Sequence, residues 1–273
     1  MAMITSRDNA ALKLARKLRT KSGRDKEGCF LVEGRKLVDE ALAAGLTVRT
    51  VLVRGADPGT APGADSGADS GAPPHQGVAD ALYDEIAQTV TPQAVMAVVE
   101  KPAAAGGLAV AQGAEAPAGV LVLDRVQDPG NVGTMVRTAY AAGLEAVWCV
   151  KGTADLWSDK VVRSAAGALF RMSKGIREGL SAEDVIKAAK AQGLRIVVCD
   201  ADGGDYSEID LARPVALVIG SEGAGVQAAF RETADAVAGI PMREGAESLN
   251  AAVSAAIVLY ERRRQIRSGY EET

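Results

Sequence analysis

Histidine, aromatic residues and cysteine are scarce in this sequence of 273 residues. His75 is the only histidine, and aromatic side chains make up 4% of the chain. A single histidine inside a flexible stretch excludes catalytic triads that depend on histidine and most histidine-rich metal sites, so we expect no metal. The cysteines number three, and Cys149 and Cys199 lie in apolar runs. This pattern predicts reduced, inert core thiols in a cytoplasmic protein.

Long apolar runs are also missing. No stretch approaches the ~18 apolar residues that a membrane-spanning helix requires, so we expect no membrane partner. The first residues lack the apolar centre of a signal peptide. With 48% hydrophobic and 24% charged residues, the composition is that of a globular protein. The length favours one large domain or two ordinary ones.

Charge is distributed unevenly, although the net charge is only −4. Between Arg7 and Lys36 there are ten basic and four acidic residues, an excess of six positive charges. Such a patch is typical of proteins that bind a polyanion such as RNA. An amphipathic helix with an ordinary charged surface explains it as well. The basic residues predicted to contact RNA are Arg16, Lys17, Arg19, Lys21 and Arg35.

Residues 1–100 alternate between helical and strand-like patterns and predict a small α/β domain. The predicted helices are 4–20, 34–44 and 79–87, and the predicted strands are 30–32, 48–53 and 95–99. Residues 56–77 are rich in Ala, Gly, Pro, Asp and Ser, which indicates a flexible insert that contains His75. Residues 101–118 are rich in Ala, Gly and Pro and predict a linker.

Residues 119–273 predict a second, larger α/β domain. Its predicted strands are 120–123, 146–150, 195–199 and 215–219, and its predicted helices are 132–142, 158–170, 181–191 and 249–264. Strands that alternate with helices favour a parallel sheet covered by helices on both faces.

The first motif follows the predicted strand 120–123. The loop opens with Asp124 and carries Asn131, Gly133 and Arg137. In parallel α/β folds, ligands bind where a strand runs into a helix. An Asn and an Arg at this place suit an anionic ligand, and Arg137 can reach a phosphate with a forked contact. A helix-capping Asn and a surface Arg are the alternative explanation.

The second motif is the glycine-rich stretch that follows strand 215–219. It begins at Gly220 and ends at Gly225, and it fails as a dinucleotide fingerprint because Glu222 stands where the second glycine belongs. A carboxylate there would repel a pyrophosphate and suits a cationic or neutral ligand such as S-adenosylmethionine. A structural turn is the alternative.

The third motif lies between Ile240 and Arg264. Three polar residues, Glu247, Ser248 and Asn250, stand at the start of an Ala-rich helical pattern, and Ser248 is predicted to cap that helix. Asn250 is less easily explained by structure alone, because Asn is a mediocre helix former.

The three motifs occur in a specific order: N-x-G-x-x-x-R, then strand-G-x-E-G-x-G, then I-P-M-x(5)-S-L-N-x-A-x-S. Together they resemble the motifs of the SpoU/TrmH family of RNA ribose methyltransferases. Residues Phe30 to Gly34 resemble part of the ribosomal-protein-L30e-like substrate-binding domain of that family. The resemblance implies a deep trefoil knot in residues 119–273, S-adenosylmethionine as cofactor, an RNA substrate and a homodimer.

The resemblance also implies roles for particular residues. Gly220, Ile240 and Leu249 would contact the cofactor. The catalytic residues would be Asn131, Arg137, Glu222, Ser248 and Asn250, with Arg137 as a general base or as a phosphate clamp. The expected reaction is methyl transfer to a ribose 2′-hydroxyl of 23S ribosomal RNA. A tRNA 2′-O-methyltransferase and a non-catalytic RNA-binding ribosome-assembly protein are the alternatives.

Overall fold

The computed structural model describes residues 3–55, 73–89, 91–103, 107–108, 110, 117–246 and 248–271. The chain divides into two compact units. The first is formed by Met1–Pro102 and Trp157–Arg171, and the second by Ala103–Leu156 and Met172–Thr273. Residues 157–171 were predicted to lie in the second domain. In the structure they pack with the first unit. Among the described residues, no helix combines the length and apolar character needed to cross a bilayer.

The secondary structure follows the predicted alternation of strands and helices. The strands are β1 Met3–Ile4, β2 Cys29–Glu33, β3 Val48–Arg54, β4 His75–Val78, β5 Val95–Glu100, β6 Gly119–Asp124, β7 Ala146–Val150, β8 Ile176–Leu180, β9 Arg195–Asp205, β10 Val215–Gly220 and β11 Ala236–Gly239. The helices are α1 Ala10–Leu18, α2 Lys21–Glu27, α3 Arg35–Ala43, α4 Asp80–Ile86, α5 Pro129–Ala141, α6 Asp159–Ser164, α7 Ala168–Arg171, α8 Ala182–Ala191, α9 Ala228–Thr233 and α10 Ala251–Glu271.

The first unit is built on a mixed sheet with the strand order β1-β4-β3-β5-β2. β1, β4 and β3 are parallel, and β5 runs antiparallel to β3 and β2. α1 buries Leu12, Ala15 and Leu18, whose spacing places them on one face of the helix. Phe30 packs against aromatic rings of the 157–171 segment, with centroids 4.8 Å from Trp157 and 6.1 Å from Phe170.

The second unit is built on a six-stranded sheet with the order β11-β9-β10-β6-β7-β8. Every pairing in this sheet is parallel, so the predicted parallel α/β architecture is confirmed. The β10–β6 register pairs Gly220 with Asp124, so the second motif and the first begin side by side at the same edge of the sheet. α10 packs against α5, and this brings the third motif to the same edge.

Several predicted boundaries in the first unit are wrong. The helix predicted over 4–20 is shorter, because Met3–Ile4 is a strand and the Asn9 side chain caps α1 by accepting from the Ala11 amide. The flexible insert predicted over 56–77 is wrong at its end, since His75–Val78 is a strand paired with β3. Residues 56–72 of that insert lie outside the described residues.

Two further predictions differ from the structure. The helix predicted over 158–170 is broken into α6 and α7, because Ala166 and Gly167 adopt positive φ angles of 47° and 84°. Most of the predicted linker 101–118 lies outside the described residues. Its described residues Leu108 and Val110 pack against the core of the second unit, and the Val110 amide donates to the Gln192 side chain over 2.8 Å.

Candidate active site

A cavity of about 420 Å³ opens at the carboxyl end of the parallel sheet in the second unit. Its size falls within the range of ~300–1,000 Å³ that is usual for small-molecule sites. The cavity is lined by six residues predicted to act in catalysis or cofactor binding: Gly220, Glu222, Ile240, Ser248, Leu249 and Asn250. These residues come from the second and third motifs, which the fold therefore brings together.

The glycine-rich stretch is a tight backbone turn. The Ser221 amide donates to the Gly225 carbonyl over 3.2 Å, and the Gly225 amide donates to the Ser221 carbonyl over 3.0 Å. A Cβ placed on Gly220 would lie 2.3 Å from the carbonyl carbon of Gly225, so no larger residue fits there. Gly220 is thus required by the close approach of the turn to its own strand, and Gly220 and Gly225 line the cavity without side chains.

The buried carboxylate of Asp124 holds the end of this turn through hydrogen bonds to Gln227. Asp124 is fully buried at the end of β6, and its oxygens accept from the Gln227 amide over 2.7 Å and from the Gln227 side chain over 2.6 Å. It also forms an ion pair of 3.2 Å with Arg125. Since Gln227 precedes α9, Asp124 fixes the end of the glycine-rich stretch to β6. Asp124 was recognised as the first residue of the loop, but no role was predicted for it.

Three side chains from the three motifs form one hydrogen-bonded chain. The Asn131 amide nitrogen donates to Glu222 Oε1 over 2.8 Å, and the Asn250 amide nitrogen donates to Asn131 Oδ1 over 3.0 Å. Asn131 is not the helix cap that the alternative explanation required. Asp128 caps α5, because its carboxylate accepts from the Asn131 backbone amide over 2.8 Å.

The Glu222 carboxylate is held in its charged form by its neighbours. Partial burial raises its pKa, but hydrogen bonds from the Asn131 side chain and from the backbone amides of Glu222, Gln127 and Asp128 outweigh this effect, so the pKa is lowered. A charged Glu222 orients the Asn131 amide, because only the NH₂ group can donate to it. The carbonyl oxygen of Asn131 therefore points toward Asn250 and accepts a hydrogen bond from its side-chain amide.

The start of α10 differs from the prediction. The predicted cap Ser248 is wrong, because the Asn250 side chain accepts from the Ala252 amide over 2.9 Å and from the Val253 amide over 3.3 Å. Asn250 therefore caps the helix and binds Asn131 at the same time. Ser248 is exposed and lines the cavity, while Glu247 lies outside the described residues.

Arg137 is the predicted catalytic residue that lies apart from the other members. It is exposed on α5 and is not among the residues that line the cavity. Arg137 lies six positions after Asn131, which places it on a different face of the helix. The structure of one chain therefore assembles Asn131, Glu222 and Asn250 but leaves Arg137 directed to solvent.

The cysteines are free, as predicted. Cys199 also lines the cavity, which the sequence did not indicate. Burial, reinforced by the neighbouring Asp200 charge, raises the pKa of the Cys199 thiol to about 12. Burial also raises the pKa of Cys149 well above its usual range, so both side chains are thiols at neutral pH.

The five residues predicted to contact RNA are all engaged by groups of the first unit. The contacts are Arg16–Glu85 at 3.2 Å, Lys17–Glu27 at 2.9 Å, Lys21–Asp25 at 3.2 Å, Arg35–Asp39 at 3.7 Å and Arg19 to the Glu85 carbonyl at 3.0 Å. Exposed ion pairs of this kind are weak, so a phosphate can replace the internal acid. Arg24, which contributed to the predicted charge excess, is buried and donates to the Leu18 carbonyl.

Comparison with known proteins identifies the family. The model of the SpoU rRNA Methylase family matches residues 118–260, about half of the chain. The chain belongs to the SpoU rRNA methylase family. The predicted resemblance is thereby confirmed. A second model, the MRM3-like substrate binding domain, matches residues 9–97 in the first unit.

Similar proteins cover almost the whole chain. The 23S rRNA (guanosine(2553)-2′-O)-methyltransferase RlmP of Bacillus subtilis is 39% identical over 95% of this chain and 98% of its own length. The 23S rRNA (uridine(2479)-2′-O)-methyltransferase of Streptomyces viridochromogenes is 33% identical over 99% of this chain and 94% of its own. The crystal structure of AviRb from Streptomyces viridochromogenes in complex with AdoMet is 33% identical, with a TM-score of 0.82 over 95% of this chain and 99% of that one.

The hydrogen-bonded chain predicts that a negative charge at position 131 lowers the free energy of unfolding by an amount that depends on pH. Because hydrogen bonds lower the pKa of Glu222, its stabilising contribution is present at neutral pH and is lost as the pH falls through the lowered value. In Asn131→Asp, two carboxylates face each other instead. We expect a loss of about 1–2 kcal/mol at pH 7 that shrinks as the pH falls and one carboxyl takes up a proton.

Chemical denaturation between pH 4 and 8 measures this effect. Thr134→Asp is the matched control, because it adds the same charge to an exposed position of α5. The control should not regain stability relative to the wild type at low pH. Equal pH profiles for the two variants would contradict the coupling between Asn131 and Glu222.

Proposed function

We propose that this protein transfers the methyl group of S-adenosylmethionine to a ribose 2′-hydroxyl of 23S ribosomal RNA. The observation that carries the proposal is that the second and third motifs line one cavity and that the first motif is joined to them by the Glu222–Asn131–Asn250 hydrogen bonds. The similar proteins of Bacillus subtilis and Streptomyces viridochromogenes are named for this reaction and match almost end to end.

The cavity suits S-adenosylmethionine in size and chemistry. Its volume of about 420 Å³ is sufficient for a nucleoside with a short side chain. Gly220 and Gly225 line the cavity with backbone alone, while Ile240 and Leu249 supply apolar surface. When bound, the cofactor supplies a methyl group activated by a sulfonium charge. The solved structure of AviRb, which contains AdoMet, supports the assignment.

The side chains around the cavity position the reactants. We assign Gly220, Ile240 and Leu249 to cofactor binding, and Asn131, Glu222, Ser248 and Asn250 to the catalytic neighbourhood. A fixed geometry of this kind lowers the barrier by reducing the entropy lost when nucleophile and methyl group align. The Ser248 hydroxyl is exposed at the cavity and is accessible to the RNA.

Arg137 fits the role of a phosphate clamp. A guanidinium stays protonated in proteins and makes a poor base, but its fork binds a phosphate with two parallel hydrogen bonds. Its exposed position on α5 makes it accessible to a large polyanion. We therefore propose that Arg137 holds a phosphate next to the target ribose.

Methyl transfer to purified RNA tests the function and the role of Arg137. The wild type should transfer label from S-adenosylmethionine to a 2′-hydroxyl of 23S rRNA and leave tRNA unlabelled. Arg137→Ala should lose most of its turnover, because the phosphate is no longer held, and Lys187→Ala on the exposed face of α8 should keep it. Arg137→Lys separates the two roles, since an amine can act as a base but lacks the fork.

Each outcome has a defined meaning. A clamp predicts that Arg137→Lys stays strongly impaired at every pH, whereas recovered turnover at high pH would support a base. Labelled tRNA would favour a tRNA methyltransferase. A wild type that binds RNA but shows no heat of binding with S-adenosylmethionine would favour a non-catalytic assembly protein.

We further propose that the first unit, with residues 1–100 as its main segment, binds the RNA backbone. The support is the excess of basic residues and the match of residues 9–97 to a substrate-binding domain. Lys17 and Lys21 are more than half exposed even though they are paired, so both can contact phosphate.

Removing these charges should weaken RNA binding in a salt-dependent way. We expect the replacement of Arg16, Lys17, Arg19 and Lys21 by Gln to reduce affinity and to lower the slope of log affinity against log salt, by about 0.7 for each lost phosphate contact with single-stranded RNA. Filter binding at several salt concentrations measures both quantities. The control Lys187→Gln/Lys190→Gln alters exposed cations of the second unit, and an equal effect per charge would contradict a specific RNA surface on the first.

We also propose that the protein is a cytoplasmic homodimer with a trefoil knot in residues 119–273. For the dimer, the support is a set of exposed apolar side chains on and next to the packed helices α5 and α10. They are Tyr140 on α5, Leu249 just before α10, and Val253 and Tyr260 on α10. The opposite side of α10 buries Ala252, Ala255 and Val258 in the core. A dimer across this surface covers side chains that are 41–52% exposed in one chain.

Light scattering of the purified protein should give the mass of two chains, twice 28.1 kDa. Val253→Asp should shift the mass toward one chain, because a charge at the centre of an apolar interface is costly to bury. Ser268→Asp, at an exposed position further along α10, is the control and should remain dimeric. A monomeric wild type would contradict the proposed homodimer.

A further inference from the structure

Asp200 is an acidic residue of the cavity that belongs to none of the three motifs. It lies just beyond Cys199, the last residue of β9 that pairs with β10. The pairing of β9 with β11 is interrupted at the same place, because Val198 pairs with Val237 and the next pair is Gly204 with Ala238. Asp200 therefore sits in a bulge, and bulges commonly redirect a side chain next to a site.

The carboxylate of Asp200 faces the glycine-rich stretch. Its Oδ2 lies 3.8 Å from the point that a Cβ on Gly225 would occupy, and both residues line the cavity. The side chain is only 12% exposed. A carboxylate that is largely buried, yet borders a cavity opposite bare backbone, is placed to contact whatever fills the cavity.

The partners of Asp200 leave it able to accept further hydrogen bonds. Arg231 forms an ion pair with Oδ2, and the Asp202 amide donates to Oδ1 over 3.3 Å. A carboxylate offers about four acceptor positions, so at least one on each oxygen remains. Because Arg231 already balances the charge, the remaining capacity suits neutral O–H donors better than a second cation.

We propose that Asp200 accepts hydrogen bonds from the ribose hydroxyls of the cofactor's adenosine and that Arg231 is the positioning residue for its carboxylate. The inference rests on the proposed function, since it concerns the same cavity. In other α/β folds that bind nucleosides at the ends of parallel strands, an acidic residue on a neighbouring strand binds the ribose hydroxyls. Here a carboxylate lies at that position, although the pyrophosphate-binding fingerprint is absent.

Calorimetric binding of a ligand series to the full-length protein tests this role. The ligands are S-adenosylhomocysteine, 5′-methylthioadenosine, which lacks the amino-acid group, and the 2′-deoxy and 3′-deoxy forms of 5′-methylthioadenosine. A hydrogen bond to a charged group corresponds to roughly a 10- to 100-fold change in affinity. We expect the wild type to bind at least one deoxy form 10- to 100-fold more weakly than it binds 5′-methylthioadenosine.

Protein variants combined with the ligand series form a double-mutant cycle. Asp200→Asn should lower the affinity for S-adenosylhomocysteine and 5′-methylthioadenosine by the same 10- to 100-fold. Its affinity for the deoxy form that the wild type binds weakly should be nearly that of the wild type. Arg231→Gln should weaken the same ligands by a smaller factor. Asp202→Asn, an exposed acid two residues away, is the control and should bind like the wild type.

The opposing outcomes are distinct. A wild type that binds ribo and deoxy forms equally would overturn the inference without any variant, even if Asp200→Asn failed to fold. A loss in Asp200→Asn for S-adenosylhomocysteine alone would mean that the carboxylate contacts the ammonium group instead. If the wild type bound neither S-adenosylhomocysteine nor 5′-methylthioadenosine, the proposed function would fail rather than the role of Asp200.

Discussion

The candidate site depends on a single amide side chain, Asn131, which bonds in two directions at once. Its NH₂ group donates to Glu222 and its oxygen accepts from Asn250, so it joins loops that lie 91 and 119 residues away. The charged Glu222 decides which end of the amide points where. A residue with only donors or only acceptors cannot make both contacts. Joining the three motifs therefore requires a side chain that carries both a donor and an acceptor, as the Asn131 amide does.

The parallel sheet beneath that contact supplies its rigidity. Strand ends that lie side by side present their loops at one edge, and the pairing of Gly220 with Asp124 fixes the first two motifs relative to each other. The buried Asp124 then ties the far end of the glycine-rich turn to β6 through Gln227. Backbone pairing thus determines the position of the loops, and side-chain hydrogen bonds determine their shape.

The apolar runs predicted the parallel sheet, because strand and helix patterns are local signals. The resemblance of the three motifs to a known family predicted six of the residues that line the cavity. The sequence could not predict contacts that depend on distant partners. Nothing near Asp124 indicates that it is fully buried beneath Gln227. Ser248 and Asn250 are both common capping residues by type, and Asn250 is the cap because α10 begins at Ala251. Its contact with Asn131, 119 residues away, could not be read from the sequence. Arg137 was predicted at the site from its motif, yet the fold directs it to solvent in a single chain.

The first unit is discontinuous along the chain, because Trp157–Arg171 completes it. Phe30 packs on Trp157 and Phe170, so its aromatic environment does not exist until the ribosome has synthesised well over half of the polypeptide. Meanwhile β6 and β7 of the other unit have already emerged. Cotranslational folding of this protein therefore cannot proceed strictly one unit after the other, and cutting the gene after the first hundred codons would expose an apolar face that the intact chain buries.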